Sequence, residues 1–320
     1  MAKPQGELFQ LDSPLIGEIR GERSLMAFPF FALAKNAWMK PLSYSTPTVT
    51  IDVRPSARGV ATIYDKEIVL YIASLMAAKI DQGVSISQDF TFTAHDLFSV
   101  TGSNHSARSY SRLADALERL QGTQIRTNIE AGGEGEEGFF SWLSEARLQY
   151  ARSTKGEKRL KAVKVRLCDW LYRAILRDRQ VLDYASTYFQ LGPIERRIYE
   201  VARSTCSDDA PLDVDLQSLK LQIGFQNPLS NFRIAMRQIA TANAIPDYDI
   251  RLIEEAAAPA AAAARADEGS GPGGDEAPRR AGRRAGKARV FITRRAPGPV
   301  EPPLSHSLGP LALIEAPARD

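Results

Sequence analysis

Cysteine and histidine are scarce in this chain, with two cysteines, Cys168 and Cys206, and three histidines, His95, His105 and His306, among 320 residues. The cysteines stand far apart and form no CxxC pair, which excludes a disulfide framework and a thiolate metal site. Cys168 heads an amphipathic helix with no histidine beside it, so it reads as a buried structural thiol. No two histidines are separated by a single residue, the spacing that a rolling-circle nuclease combines with a nucleophilic tyrosine. A GxxxxGK[ST] loop is missing as well, and Gly132, Gly133, Gly135 and Gly138 lie among acids that repel phosphate. The expectation is a protein without nuclease, polymerase or ATPase activity, needing no metal and no cofactor.

Long apolar runs are also absent. The N-terminal MAKPQGELFQLDSPLIGEIRGERSL scatters charges through its length and matches neither a signal sequence nor a membrane span, so the expected setting is the cytoplasm, with no membrane partner. Net charge is only +3, and any affinity for nucleic acid has to come from basic residues gathered on particular faces.

What is present is helical periodicity between short strand-like runs. VTIDVRP and GVATI are rich in β-branched residues and read as strands joined by a Pro/Ser/Gly turn. DKEIVLYIASLMAAKIDQG follows as a helix with Asp65 at its N-cap and Gly83 at its end; Ile68, Tyr71, Ile72, Leu75, Met76 and Ile80 recur at helical spacing. TAHDLFSVTG is a short helix capped by Thr93 and stopped at Gly102. NHSARSYSRLADALERLQGTQIRTNI comes next. On a 3.6-residue wheel its Tyr110, Leu113, Ala116, Leu117 and Leu120 form an apolar face, and His105, Arg108, Arg112 and Arg119 share a flank. TQIRTNI and FFSWLSEARLQY then read as a hairpin around the acidic loop AGGEGEEG, which completes the order of a winged helix-turn-helix.

The pattern recurs. LKAVKVRL reads as a strand, CDWLYRAILR as a short helix, and PIERRIYEVARSTC as a longer one with Pro193 at its first position. LDVDLQSLKLQIG is another short helix, ending at Gly224. In NPLSNFRIAMRQIATAN, Asn227 is the expected N-cap; Phe232, Ala235, Met236 and Ile239 face inward, and Ser230, Arg233 and Arg237 share a flank. Asp247 to Ile253 and Lys287 to Arg294 read as the arms of a second wing. Between them runs an Ala/Gly/Pro/Arg tract whose composition predicts disorder and whose Arg279, Arg280, Arg283 and Arg284 would add mobile phosphate contacts.

The fold class expected is therefore α+β, with two tandem winged helix-turn-helix domains: an N-terminal arm over residues 1–24, a first domain over 25–158, a second over 159–295 with a disordered insertion at 254–286, and a disordered Pro-rich tail over 296–320. A charged flank on a single helix is ordinarily a solvated surface. Two such flanks, each on the third helix of a winged order, point to double-stranded DNA: an α-helix fits the major groove, and arginine clamps phosphate or forks onto guanine. Arg233 is the expected base contact.

Four segments, GVATIYDKEIVLYIASLMAAK, ALERLQGTQIRTNI, YFQLGPIERRIYEVAR and NFRIAMRQIATANAIPDYDI, in that order and spacing, resemble the replication initiator protein A family of bacterial plasmids, and KARVFITRR is similar to the family's last strand. The resemblance implies binding to repeated origin sites, opening of the adjacent duplex, and recruitment of a host initiator and the replicative helicase. It leaves open whether the active form is a monomer or a homodimer. A winged-helix transcriptional repressor, autorepression included, is the alternative reading of the same features.

Overall fold

The computed structural model describes residues 11–135, 137–152, 158–207, 209–255 and 287–295. The tail over 296–320, the tract over 256–286 and its four arginines, Arg279, Arg280, Arg283 and Arg284, lie outside the described residues.

In chain order the elements are β1 (Arg20–Glu22), α1 (Arg23–Ala27), β2 (Leu42–Ser45), β3 (Thr50–Arg54), α2 (Lys66–Asp81), β4 (Asp89–Phe92), α3 (Ala94–Thr101), α4 (Ala107–Gly122), β5 (Gln124–Thr127), β6 (Leu143–Arg152), β7 (Lys158–Leu167), α5 (Asp169–Arg173), β8 (Val181–Asp183), α6 (Pro193–Thr205), β9 (Leu212–Asp215), α7 (Leu216–Ile223), α8 (Leu229–Ala242), β10 (Tyr248–Glu254) and β11 (Ala288–Arg294). Two stretches follow one plan. α2, β4, α3, α4, β6 and β7 give helix, strand, helix, helix and two strands, with a sheet of order β4-β7-β6; α6, β9, α7, α8, β10 and β11 repeat it, with order β9-β11-β10.

Several sequence expectations are corrected by pairing. β5 does not form a hairpin with β6. It pairs antiparallel with β3, which also pairs with β2, because Ile125 opposite Val53 and Thr127 opposite Ile51 fill one face of that small sheet. The first hairpin is β6 with β7, and Phe90 and Phe92 of β4 join its inner edge. β7 thus belongs to the first half, and the expected boundary at 158/159 falls inside a sheet. GVATI makes only isolated bridges, from Val60 to Trp38 and from Thr62 to Ala32. LDVD is a strand, β9, and α7 begins only at Leu216, where Asp215 accepts from the backbone N–H groups of Gln217 and Ser218 at 3.0 Å each.

The two halves are not beads on a linker. α2 is buried on nearly every side, and its Leu70 packs into the core of the second half while Ile68, Val69, Tyr71 and Ile72 pack into the first; a helix apolar all round needs partners all round. The N-terminal arm is drawn in as well. β1 pairs with β8, and a Cβ on Gly21 would come within 2.8 Å of both Tyr184 and Leu70 side-chain atoms, so any larger residue would force those side chains to shift.

Charges close the same seam. Lys66 Nζ, wholly buried, donates to Glu200 Oε1 at 2.6 Å and to the Leu25 carbonyl at 2.8 Å. Glu200 also accepts from Arg197 at 2.6 Å, the Tyr188 hydroxyl at 2.7 Å and the Tyr184 hydroxyl at 3.1 Å. Burial pulls the Lys66 pKa from 10.5 to about 8, with Glu200 pushing against that fall. Burial alone would raise Glu200, yet Lys66 and Arg197 outweigh it and the net direction is down. Nearby, Arg196 of α6 reaches Glu67 of α2 at 2.7 Å and lies 4.6 Å from the Tyr64 ring centroid.

Candidate nucleic-acid interface

The short helix before each long one is built to end abruptly. Thr93 caps α3 by accepting from the Asp96 N–H at 3.0 Å, and Gly102 terminates it at φ 70°; Gly224 terminates α7 at φ 77°. Each left-handed glycine reverses the chain within a few residues, so the next helix crosses the preceding one with a polar side left outward.

In the first half Ser106 caps α4, and Leu113, Ala116, Leu117 and Leu120 are buried as the wheel predicts. His105, Arg108 and Arg112 are exposed. His105 stacks on His95 of α3 at 4.5 Å between centroids, and Tyr110 meets Phe98 edge-on at 5.2 Å. Arg119 departs from the expected flank. Its Nε and Nη2 each donate to the buried Asp65 carboxylate at 2.7 Å, and its own side chain is only 16% exposed. Asp65 stands at the N-cap of α2 as expected, but its side chain bonds no helix N–H; it accepts instead from the Thr62 N–H at 2.7 Å and from Arg119. Arg119 is a fastening between α4 and α2, held charged by that carboxylate.

In the second half Pro228, not Asn227, occupies the N-cap of α8, and its carbonyl accepts from the N–H groups of Asn231 and Phe232. Asn227 and Ser230 are exposed at that end. Asn243 ends the helix at φ 43°, where its side chain donates to Asp249 and accepts from the Ile250 N–H, both at 2.9 Å, binding α8 to β10. The two arginines do not stand alone. Arg233 donates to Glu254 at 2.8 Å, and Arg237 donates to the same carboxylate through Nε at 2.7 Å and Nη2 at 3.0 Å. Hydrogen bonding from Arg237 comes first among the causes that hold Glu254 below the ordinary carboxylate range.

Sequence reasoning overlooked the first hairpin. Toward its tip β6 and β7 expose Arg152, Lys158, Arg159 and Lys161, a basic surface placed on the same hairpin that packs beside α4. The signal is the recurring Lys/Arg of KRLKAVKVRL, a strand that sequence order alone places at the head of the second half and that pairing places in the first. Among the described residues no three His, Cys, Asp or Glu side chains converge as metal ligands, and no helix is long and apolar enough to cross a membrane. The cavity beside α4, about 530 Å³, is bordered by Lys35, Arg112, Asp65 and Glu67, so it carries both signs of charge.

Comparison with known proteins gives concordant likenesses. The family model of replication initiator protein A matches residues 20–250. A putative replication protein of Wigglesworthia glossinidia brevipalpis is 33% identical over 247 residues, which cover 77% of this chain and 89% of that one. Among solved structures, domains 2 and 3 of RctB, as the selenomethionine derivative, match with a TM-score of 0.54 at 13% identity over 85% of this chain and 98% of that one; this likeness bears on the fold, a mixed α/β architecture. A further structure of RctB domains 2–3 matches at a TM-score of 0.49 and 14% identity, over 83% and 95% of the two chains.

Proposed function

This chain belongs to the replication initiator protein A family, and we propose that it initiates plasmid replication by binding repeated sites in origin duplex DNA through two winged helix-turn-helix modules. The observation that carries this reading is the doubled plan itself: twice, a glycine-ended short helix presents a long helix whose outer side is polar or basic, beside a three-stranded sheet ending in a hairpin. In this reading α4 and α8 enter adjacent major grooves, and the two hairpins lie along phosphates. His105, Arg108 and Arg112 supply backbone contacts in the first half, and Asn227, Ser230, Arg233 and Arg237 belong to the second contact surface. Two modules on one chain raise each other's effective concentration on neighbouring sites.

Opening of the duplex would draw on binding free energy alone, with host replication proteins recruited afterwards, and the protein itself would cut no strand. Tyr199, a hydroxyl that a nicking mechanism could call on, is wholly buried and accepts from the Ala185 N–H at 2.8 Å, where no phosphodiester can reach it. Footprinting of the pure protein on the DNA surrounding its own gene tests the proposal. A regularly spaced array of protected repeats is the expected result, and protection no different from that on random duplex would refute it.

A further inference from the structure

α8 exposes a narrow crest. Ser230, Ile234, Arg237 and Thr241 follow at i, i+4, i+7 and i+11, a line on the opposite side of the helix from the buried Phe232, Met236 and Ile239. Its charged member, Arg237, is 56% exposed and hydrogen-bonds Glu254. Asn231 and Gln238, seven residues apart and both exposed, border it on one side. On the other side stands Arg233, which shares the Glu254 carboxylate with Arg237.

Ile234 is the unusual member. It is 54% exposed in the middle of the helix and so presents an aliphatic surface to whatever meets the crest. Apart from Arg237, its neighbours along the crest and on the far border are hydroxyls and primary amides. That set of groups matches one kind of base pair. In the major groove an A·T pair offers the adenine N6 donor and N7 acceptor, which a carboxamide meets with two hydrogen bonds, and the thymine C5-methyl, which an aliphatic side chain covers. Guanine would require an arginine fork aimed at the groove floor; Arg237, 56% exposed on the crest, presents Nε and Nη2 to Glu254 instead, and the Arg233 side chain is only 15% exposed.

We propose that the α8 crest reads A·T base pairs, with Ile234 packed on a thymine methyl and Asn231 and Gln238 serving adenine. This rests on the assignment of α8 as a DNA-facing helix. The paired arginines then act as cations whose direction Glu254 sets, and base readout falls to uncharged groups where the sequence pointed to Arg233.

Deoxyuridine scanning tests it. The duplex repeat recovered by footprinting is prepared with each thymine replaced singly by deoxyuridine, which deletes one methyl and no hydrogen-bonding group. Wild-type protein should lose about fourfold in affinity, the worth of one buried methyl, at one or two positions only. The Ile234→Ala protein should fold normally, bind more weakly and be indifferent to the substitution at one of those positions; Ile234→Val should retain part of the sensitivity. Wild-type binding with a clear preference for the repeat but no sensitive thymine would overturn the methyl contact and leave the origin-binding function standing. Sensitivity unchanged in Ile234→Ala would likewise overturn it. Absence of any preference over random duplex would overturn the DNA-facing assignment of α8 and this inference with it.

Discussion

Replacing Glu200 by glutamine should destabilise the protein far more than replacing Lys66 by methionine, although the two side chains form one ion pair. Glu200 is the single acceptor on which Lys66, Arg197, Tyr184 and Tyr188 converge. Without its charge, two buried cations face each other across the seam, a situation that costs about 3–5 kcal/mol. Loss of Lys66 leaves Glu200 still paired with Arg197 and both hydroxyls. The Leu25 carbonyl is orphaned, at about 1–3 kcal/mol. Against that stands the burden of burying the ammonium, about 3 kcal/mol from the fall of its pKa from 10.5 to about 8. The two nearly cancel, so Lys66→Met should lie within about 2 kcal/mol of wild type. The same shift sets a pH dependence. Between pH 8 and 10.5 the unfolded lysine keeps its proton while the folded one has released it, so the unfolded state binds more protons and wild-type stability rises with pH across that window relative to Lys66→Met. Urea unfolding of the three proteins at pH 7, with wild type and Lys66→Met repeated at pH 10, measures both effects. A Lys66→Met protein as unstable as Glu200→Gln, or a gap between wild type and Lys66→Met that does not change with pH, would refute the reasoning.

Arg112 and Arg119 should separate cleanly. Arg112→Ala is expected to leave thermal stability unchanged and to lower the log–log salt slope of DNA binding by roughly one, whereas Arg119→Ala, which strands the buried Asp65, should cost about 3 kcal/mol in unfolding experiments and leave that slope alone. Deleting Ala256 to Pro278 should preserve the fold, since the Glu255 N–H already bonds the Lys287 carbonyl at 2.9 Å and closes β10 on β11 before the tract begins; circular dichroism and the unfolding midpoint of the deleted protein check this.

Local chemistry was legible in the sequence where a cap or a period decides the matter. Thr93, Gly102, Pro193 and Gly224 mark helix ends that the structure keeps, and the apolar faces of α4 and α8 are those the wheel gives. The arms of the second hairpin were legible too, because both alternate in period two and their register runs from Tyr248 opposite Arg294 to Glu254 opposite Ala288. What escaped was pairing at a distance. β5 prefers β3, more than seventy residues earlier, over the nearest strand because both strands bury alternate residues against one core, and nothing within β5 announces that partner. Charges misled for the same reason. Arg119 and Arg112 look alike on a wheel; only the fold brings Asp65 to one of them. Nothing in the sequence marks Lys66, Arg196, Arg197 and Glu200 as buried, because only the packing of α2 on α6 takes them out of water.

Because α2 belongs to both cores, and β1 closes on β8, the offset between α4 and α8 is set by the fold and not by a tether. A duplex turns its major groove through a full revolution in about 10.5 base pairs. If α4 and α8 both enter the groove as proposed, the protein measures phase as well as sequence: two correct subsites separated by an extra half turn would face opposite sides of the duplex, away from helices held at one offset. Such a molecule can satisfy itself on misphased DNA only by twisting the DNA.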